Sequence, residues 1–212
     1  MYELNNSNQV TVAGEINSGF TFNHEVFGEK FYMFELASQR LSGGYDYIPV
    51  MVSERDIDVK KDYIGQQIMV KGQFRSFNKH EEDSGKSKVI LSVFVKELEF
   101  IEEPITGENA NIIFLDGFIC KNPIYRKTPK GREIADFVLA VNRPYRKSDY
   151  IPCIAWGRNA RFADRFKVGQ RVQIHGRIQS RKYEKKLSEE ESVTKTAYEV
   201  SVSDMRVIKD EE

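Results

Sequence analysis

Arginine, glutamine and tyrosine side chains alternate with apolar residues in the second half of the sequence. Between Arg171 and Gln179 every second residue is Val, Ile or Gly, and the residues between them are Arg, Gln or His. Successive side chains of a β-strand point to opposite faces, so one face of this segment is apolar and the other carries Arg177, Arg181 and Tyr183. Guanidinium groups can hold phosphates and rings can stack on exposed bases. This combination is typical of a surface that binds single-stranded nucleic acid without sequence preference.

A second alternating segment contains the only tryptophan of the chain. Ile151, Cys153 and Ala155 form its small apolar row, which leaves Tyr150 and Trp156 on the opposite face. A single Trp is more often a core residue, but turning Trp156 inward would expose Ile151 and Cys153. We therefore predict that the ring faces outward. The predicted stacking residues are Trp156, Tyr150 and Tyr183, with Tyr145 and Tyr125 as weaker candidates in loop segments.

Basic residues near these rings are predicted to contact phosphates. They are Arg126, Lys127, Lys130, Arg132, Arg143, Arg146, Arg158, Arg177 and Arg181. The overall charge of zero hides an asymmetry, because residues 1–105 hold 11 Lys and Arg against 17 Asp and Glu, whereas residues 106–212 hold 21 against 15. A basic second half indicates that this half meets a polyanion.

The sequence offers little for catalysis or metal binding. His24, His80 and His175 are scattered, with no Cys or His at ligand spacing, so we predict no metal and no cofactor. Cleavage of a phosphodiester needs clustered carboxylates, yet Glu133 and Asp136 fall on opposite faces of a predicted strand. We therefore predict that the protein is not an enzyme.

Composition places the protein among ordinary globular chains, with 40% hydrophobic and 30% charged residues. No apolar run approaches the roughly 20 residues of a bilayer span, and the first residues lack the features of a signal peptide, so we expect a cytoplasmic protein without a membrane partner. Cys120 and Cys153 lie in apolar, strand-like segments and are predicted to be small buried hydrophobic residues rather than a disulfide.

The chain nearly repeats itself. Asp46–Ser53 (DYIPVMVS) and Asp149–Trp156 (DYIPCIAW) begin with the same four residues at an offset of 103, and Asn8 and Asn111 share that offset. A constant offset with insertions only in turns indicates two copies of one fold. We predict a first domain over residues 1–103, a linker over 104–110 and a second domain over 111–212.

Each copy reads as short alternating strands separated by Gly, Pro, Asn and charged clusters. Between the third and fourth strands of the second copy, Gly157–Gly169 has apolar residues at helical spacing and ends in Gly. The order of elements predicts an all-β protein of two tandem OB-fold barrels, each of five strands with at most one short helix between strands three and four. The predicted strands of the second copy are roughly Ile112–Ile119, Glu133–Val141, Tyr150–Trp156, Arg171–Tyr183 and Ala197–Val207.

The first copy keeps the core pattern but not the same outer residues. Ser53 stands at the repeat position of Trp156, and Lys79 at that of Tyr183. We expect this copy either to pair with other copies or to contribute weakly to nucleotide binding. Its weaker candidates are Tyr47, Lys71, Arg75 and Phe77.

The second copy resembles the bacterial single-stranded DNA-binding protein family. The resemblance is carried by NIIFLDGFI, NPIYRKTPKG, IADFVLAVNRPYR, DYIPCIAWGRNARFADRFKVGQRVQIHGRIQSRKY and YEVSV. The first copy resembles the family more faintly, through FELA, DYIPV and GQQIMVKGQF. The resemblance implies an OB-fold that binds single-stranded DNA in replication, recombination and repair, with stacking positions at Tyr150, Trp156 and Tyr183.

Family members usually bring four OB-folds together, so two-fold chains are expected to form homodimers. Typical members also end in a long tail with an acidic tip that recruits other proteins. This sequence ends with IKDEE directly after its last predicted strand, so we expect no such tip here. The acidic first half leaves an alternative open, in which the chain is a protein-interaction adaptor or primosome component that binds nucleic acid only weakly.

Overall fold

The computed structural model describes residues 6–80, 87–186 and 192–209. The described strands of the first copy are β1 (Asn8–Ile16), β2 (Thr21–Val26), β3 (Glu29–Gln39), β4 (Tyr45–Ser53), β5 (Gln67–His80) and β6 (Ser87–Phe100). Those of the second copy are β7 (Asn111–Ile119), β8 (Ile124–Lys127), β9 (Glu133–Arg143), β10 (Lys147–Trp156), β11 (Arg171–Lys186) and β12 (Ser192–Val207). A 3-10 turn covers Gly107–Ala110, and α1, the one α-helix among the described residues, covers Arg158–Ala163.

The predicted all-β class is confirmed. The strands are ordered β2-β3-β4-β6-β5-β1 and then β7-β11-β12-β10-β9-β8, and each half closes into a barrel through the extra pairings β1–β3 and β7–β9. Closure pairs strand edges that would otherwise invite pairing with other chains and leaves only the short strands β2 and β8 at the ends of the described sheet. No helix in the described part of the chain is long and apolar enough to cross a membrane.

Each barrel has one strand more than the five predicted. The extra strands β2 and β8 are short edge strands that form hairpins with β3 and β9. The residues Tyr125, Arg126 and Lys127, which we predicted in a loop, therefore lie in β8. A strand of four residues between Pro123 and Thr128 is too short to show a clear alternation in the sequence.

The predicted inner rows fill the two barrels. Ile151, Cys153 and Ala155 are 0%, 3% and 0% exposed, and the corresponding Ile48 and Val50 of the first copy are fully buried. Full burial of one such aliphatic side chain contributes roughly 1.5–3 kcal/mol through the hydrophobic effect. Both cysteines are free thiols, and burial raises the pKa of Cys153 far above its usual value.

The helix is shorter than the predicted segment. Of Gly157–Gly169 only six residues form α1, in which Ala160 and Ala163 are buried against the barrel. Phe166 follows in a turn and also points inward, whereas Phe162 is 39% exposed. The corresponding segment of the first copy forms turns, which agrees with its poor amphipathic pattern.

The long strands β5 and β11 bend at equivalent glycines. The register against β6 shifts between Lys71 and Gly72, and the register against β12 shifts between His175 and Gly176. A Cβ added at Gly176 would lie 2.3 Å from the carbonyl oxygen of Ser201, so no larger residue fits without a backbone shift. Such β-bulges let a strand curve around a barrel.

The two copies are joined by an antiparallel pairing of β1 with β7. Val10 pairs with Ile113, which is the same position in the repeat, so a pseudo-two-fold axis passes through this pair. One twelve-stranded sheet therefore runs through both barrels.

The repeated aspartate of DYIP strengthens this junction. Asp149 of the second copy accepts a hydrogen bond from the Ser76 backbone N–H of the first copy at 2.7 Å. Asp46 of the first copy accepts one from the Ser180 backbone N–H of the second at 2.8 Å. The side chains of Asp46 and Asp149 are 1% and 0% exposed. The near repetition in the sequence thus supplies two equivalent cross-copy contacts.

Candidate nucleic-acid interface

Two of the predicted rings lie on the outer surface of the second barrel. The β9–β10 register sets Trp156 opposite Ile134 and Tyr150 opposite Ala140, so strand parity places both rings on one face. Trp156 is 39% exposed and Tyr150 is 55% exposed. Ile154, which lies between them on the same face, is buried. The two rings are therefore separate stacking surfaces, with the buried apolar side chain of Ile154 between them.

Strand β11 brings a third ring to this surface. Ile154 of β10 aligns with Ser201 of β12, which pairs with Arg177 of β11, so the outer face continues across all three strands. Arg181 and Tyr183 follow Arg177 at even spacing on that face. Tyr183 is 38% exposed, and the guanidinium carbon of Arg181 lies 5.9 Å from its ring centroid.

Arg181 lies beside the carboxylate of Glu199 but keeps an exposed guanidinium that can contact a ligand. Its Nε lies 3.5 Å from Glu199 Oε1, an oxygen that also accepts a 2.7 Å hydrogen bond from Gln179 Nε2. The Arg181 side chain is 56% exposed, whereas that of Glu199 is 9% exposed. Because the Arg181 guanidinium is mostly exposed and its contact with the buried Glu199 is long, Arg181 can also reach a phosphate oxygen.

Several predicted phosphate-binding arginines are held by carboxylates. Arg177 Nη1 lies 2.5 Å from Asp46 Oδ2, across the junction of the two copies. Arg143 Nε lies 3.1 Å from Asp149 Oδ2, although neither atom makes a hydrogen bond with a described residue. These contacts give Arg177 and Arg143 a role in joining or orienting the copies. On the outer face, Arg126 Nη2 donates to Asp136 Oδ2 at 2.6 Å.

Other predicted basic residues have no such partner. They are exposed and form no ion pair with any residue in the described ranges: Lys127, Lys130, Arg132, Arg146 and Arg158. Tyr145 is 94% exposed at the β9–β10 turn, where Tyr145 and Arg146 have positive φ angles of 63° and 56°. Positive φ costs a residue with a Cβ about 1 kcal/mol or more, so the turn displays this ring at some cost in stability.

Tyr125 is not brought to the other rings. It pairs with the buried Ala135 and packs beside the core, on the opposite side of the sheet from Trp156. Its hydroxyl donates a 2.7 Å hydrogen bond to Glu133 Oε1, and this bond raises the pKa of Tyr125. The sequence did not reveal this side because the register of β8 was not recognised.

The four weaker candidates of the first copy lie in different surroundings. Tyr47 is half-buried at the junction, with its backbone N–H donating to Ser180 Oγ at 3.0 Å. Lys71 forms a 3.1 Å ion pair with Glu97. Phe77 is half-buried. None of these three is a fully open platform.

Arg75, the fourth candidate, stacks on a ring that sequence reasoning missed. Its guanidinium carbon lies 3.9 Å above the centroid of Phe94, and its Nη2 donates to Gln73 Oε1 at 2.8 Å. Burial lowers the pKa of Arg75, as does the nearby Arg143. Phe31 lies on the far side of Phe94, with ring centroids 5.6 Å apart. Only cross-strand register could have identified these rings, because both stand at positions where the second copy has no aromatic residue.

The described residues contain no group of three or more His, Cys, Asp or Glu that could hold a metal ion. Residues 187–191, between β11 and β12, and the terminal residues 210–212 lie outside the described residues. The described surface thus consists of exposed aromatic rings, exposed basic side chains and the buried apolar Ile154 between Tyr150 and Trp156.

Comparison with known proteins agrees with the predicted resemblance. The model of the single-strand binding protein family matches residues 110–208. Single-stranded DNA-binding protein 2 of Listeria innocua is 41% identical over 81 residues, which cover 35% of this chain and 51% of that protein. Single-stranded DNA-binding protein A of Bacillus subtilis is 36% identical over 96 residues, covering 42% of this chain and 56% of that protein. The chain thus spans about half the length of the curated relatives it matches.

The fold of the whole chain is that of a solved protein. The crystal structure of the single-stranded DNA binding protein from Thermus aquaticus superposes with a TM-score of 0.74, at 20% identity, over 97% of this chain and 94% of that one. At this identity the likeness concerns the fold alone. The match over residues 110–208 shows that the second copy is similar to the single-strand binding protein family.

Proposed function

We propose that this protein binds single-stranded DNA without sequence preference. The observation that carries the proposal is the outer face of the second barrel, where Trp156, Tyr150 and Tyr183 are all at least 38% exposed. Exposed rings next to basic groups on one strand face can stack on bases while the basic groups contact phosphates. The names of the relatives matched by the second copy point to the same ligand.

In this proposal the rings stack on bases and the basic residues follow the phosphates. Base stacking contributes about 1–3 kcal/mol per base and tolerates any sequence, because every base has a π-face. The guanidinium of Arg181 lies 5.9 Å from the Tyr183 ring, and Arg158, at the start of α1, is exposed two residues after Trp156. We assign the phosphate contacts to Arg181 and to the exposed basic residues that form no ion pair in the described ranges. Arg143 and Arg177 already contact carboxylates, so they are not assigned to phosphates.

The biological role that follows is protection of single strands during replication, recombination or repair. This role needs binding rather than catalysis, and it needs no metal or cofactor. We further propose that two chains associate into a homodimer with four OB-folds. A partly apolar surface is available for this on the junction sheet, where Ile112 of β7 is 42% exposed on the side away from the barrel core.

The adaptor alternative predicts weak binding of nucleic acid and a protein ligand for the acidic first copy. A direct comparison is fluorescence anisotropy of labelled oligo-dT with wild type, Trp156→Ala and Tyr183→Ala. Each substitution should weaken binding by about fivefold or more, the equivalent of one lost stacking contact. Phe162→Ala is a matched control, because Phe162 is as exposed as Trp156 but lies on α1. Equal affinities for all four proteins would reject the proposed face.

A further inference from the structure

The first barrel displays a phenylalanine at the tip of its β2–β3 hairpin. Val26 pairs with Glu29, which leaves a turn of two residues between them. Phe27 and Gly28 form this turn with positive φ angles of 51° and 78°, and the Phe27 side chain is fully exposed. A large side chain disfavours positive φ, so two-residue hairpin turns of this kind usually begin with Asn, Asp or Gly. The hairpin thus holds an apolar ring in water at a strained position.

The surroundings of Phe27 are acidic. Glu25 is exposed and forms no ion pair with a described residue. Glu29 Oε2 lies 3.2 Å from Arg55 Nη1, and its Oε1 accepts a hydrogen bond from Ser53 Oγ. Because like charges repel, this tip does not suit a phosphate chain. It suits a positively charged protein surface that can also contact a ring.

The equivalent hairpin of the second copy carries the opposite charge. At the offset of 103, Phe27 corresponds to Lys130 and Glu29 to Arg132. Gly28 and Gly131 share this offset and have positive φ angles of 78° and 77°. The side chains of Lys130 and Arg132 are exposed and form no ion pair within the described ranges. The two tips therefore occupy the same place in each barrel and have complementary charges.

The two hairpins lie at opposite ends of the twelve-stranded sheet. β2 is the first strand in the sheet order and β8 is the last. A contact between these hairpins is therefore expected between two chains rather than within one. The charge of the whole chain favours the same arrangement, because the first half has the acidic excess and the second half the basic excess.

We propose that the β2–β3 hairpin of one chain docks on the β8–β9 hairpin of a second copy of this chain. In this contact the ring of Phe27 lies against the side chains of Lys130 and Arg132, since cations are attracted to the face of an aromatic ring. Glu25 faces the same cations. The contact is head-to-tail, so each chain keeps a second hairpin free and the assembly can grow beyond two chains. It uses a different surface from the homodimer proposed on the junction sheet, and it does not depend on DNA.

Sedimentation velocity of the full chain measures this association. Two hairpin tips bury little surface, so the association should be weak and should decrease with salt. The measurement is made without DNA, because Lys130 and Arg132 are also candidates for phosphate contacts. At low salt, the sedimentation coefficient of wild type should increase as the concentration is raised from micromolar to near-millimolar.

Phe27→Asn removes the ring while keeping the turn. Asn adopts positive φ more readily than Phe, so the midpoint of urea unfolding should stay equal or increase. The association constant should decrease by about fivefold or more. Ile64→Asn is the matched control, because Ile64 is 56% exposed in another turn of the same barrel. This control should associate like wild type.

Charge reversal tests the partner surface. Glu25→Lys and Lys130→Glu should each weaken association by about fivefold, because each replaces an attractive exposed pair by a repulsive one. An equimolar mixture of the two variants should associate more strongly than either variant alone. The first variant keeps the basic hairpin and the second keeps the acidic hairpin, so the mixture can still form the wild-type contact.

Each outcome decides the proposal. Growth of the wild-type particle with concentration, its loss in Phe27→Asn and its recovery in the mixture support the docking of the two hairpins. A wild type that sediments equally at all concentrations overturns the proposal, as does growth that these variants leave unchanged. A mixture that associates no better than its components overturns the head-to-tail contact. Loss of oligo-dT binding would reject the proposed function alone, because the association is measured without DNA.

Discussion

At the scale of single residues, arginines of similar sequence context have different surroundings. Arg143 lies in a basic loop segment, yet its guanidinium faces the fully buried Asp149. Arg158 is exposed and has no carboxylate partner in the described ranges. The sequence predicts a phosphate contact for both, because a buried partner from another part of the chain is not visible in the local pattern.

Arg143→Gln and Arg158→Gln should therefore affect different properties, the first stability and the second the salt dependence of DNA binding. Arg143→Gln leaves a buried carboxylate without its cation, which should lower the free energy of unfolding by about 3 kcal/mol. Arg158→Gln should leave stability unchanged but reduce the slope of log K against log salt by about 0.7, the value for one phosphate. Urea unfolding and salt-dependent titrations measure the two quantities. A stability loss for Arg158→Gln alone would contradict these assignments.

The buried Asp149 also predicts a dependence of stability on pH. Burial raises its pKa above the usual 3.8, although the Ser76 N–H and the nearby Arg143 oppose this shift. The folded protein therefore holds this proton more tightly than the unfolded chain. The contribution of this group to the free energy of unfolding is complete below pH 3.8 and falls as the pH rises through the raised pKa.

Asp149→Asn cannot ionise and should lack this dependence. The stability of wild type minus that of the variant should decrease as the pH rises from about 4, at the usual pKa of Asp. Thermal or urea unfolding of both proteins at a series of pH values gives this difference. A difference that increases with pH would show that the folded protein lowers the pKa of Asp149.

At the scale of elements, the alternation of residue types predicted which side chains face the core more accurately than it predicted the number of strands. It gave the inner row of β10 and the outward Trp156, since burial on one side of a barrel imposes a period of two. It did not give β8, which is too short, or the place of Phe31. Residues that face each other on two strands have no fixed spacing in the sequence, so the pairing of Phe31 with Ser53 appears only with the register.

The bulge of β11 is predicted to position the outer residues that follow it. Gly176→Ala would place a Cβ against the Ser201 carbonyl, which should cost about 1–3 kcal/mol of stability and displace Arg177. Gly19→Ala is the control, because no atom lies within 4 Å of its added Cβ. The midpoints of urea unfolding compare the two. Equal midpoints would mean that the strand accommodates the side chain without cost.

At the scale of the whole molecule, the repeat builds two barrels with different surfaces on one continuous sheet. The pseudo-two-fold pair Val10 and Ile113 and the two cross-copy aspartates hold the barrels together. The charges are divided, with the acidic excess in the first half and the basic excess in the second. Both observations agree with one strand that contacts phosphates mainly on the second barrel.

The proposed homodimer predicts a particle of twice the chain mass of 24.6 kDa. Ile112→Asp would place a charge on the junction sheet and should shift the particle toward the monomer, because a buried unpaired charge is unfavourable. Thr21→Asp on the edge strand β2 is a control away from that sheet. Sedimentation equilibrium measures the mass. A wild-type mass of one chain at micromolar concentration would reject the dimer.

The central claim is that Trp156 stacks on bases of single-stranded DNA, and its intrinsic fluorescence tests this claim directly because the chain has no other Trp. Titration with oligo-dT at low salt should quench the fluorescence to saturation. The affinity should fall with salt at a slope of about −0.7 per neutralised phosphate. Unchanged fluorescence at low salt, at concentrations where a labelled oligonucleotide is bound, would contradict the account.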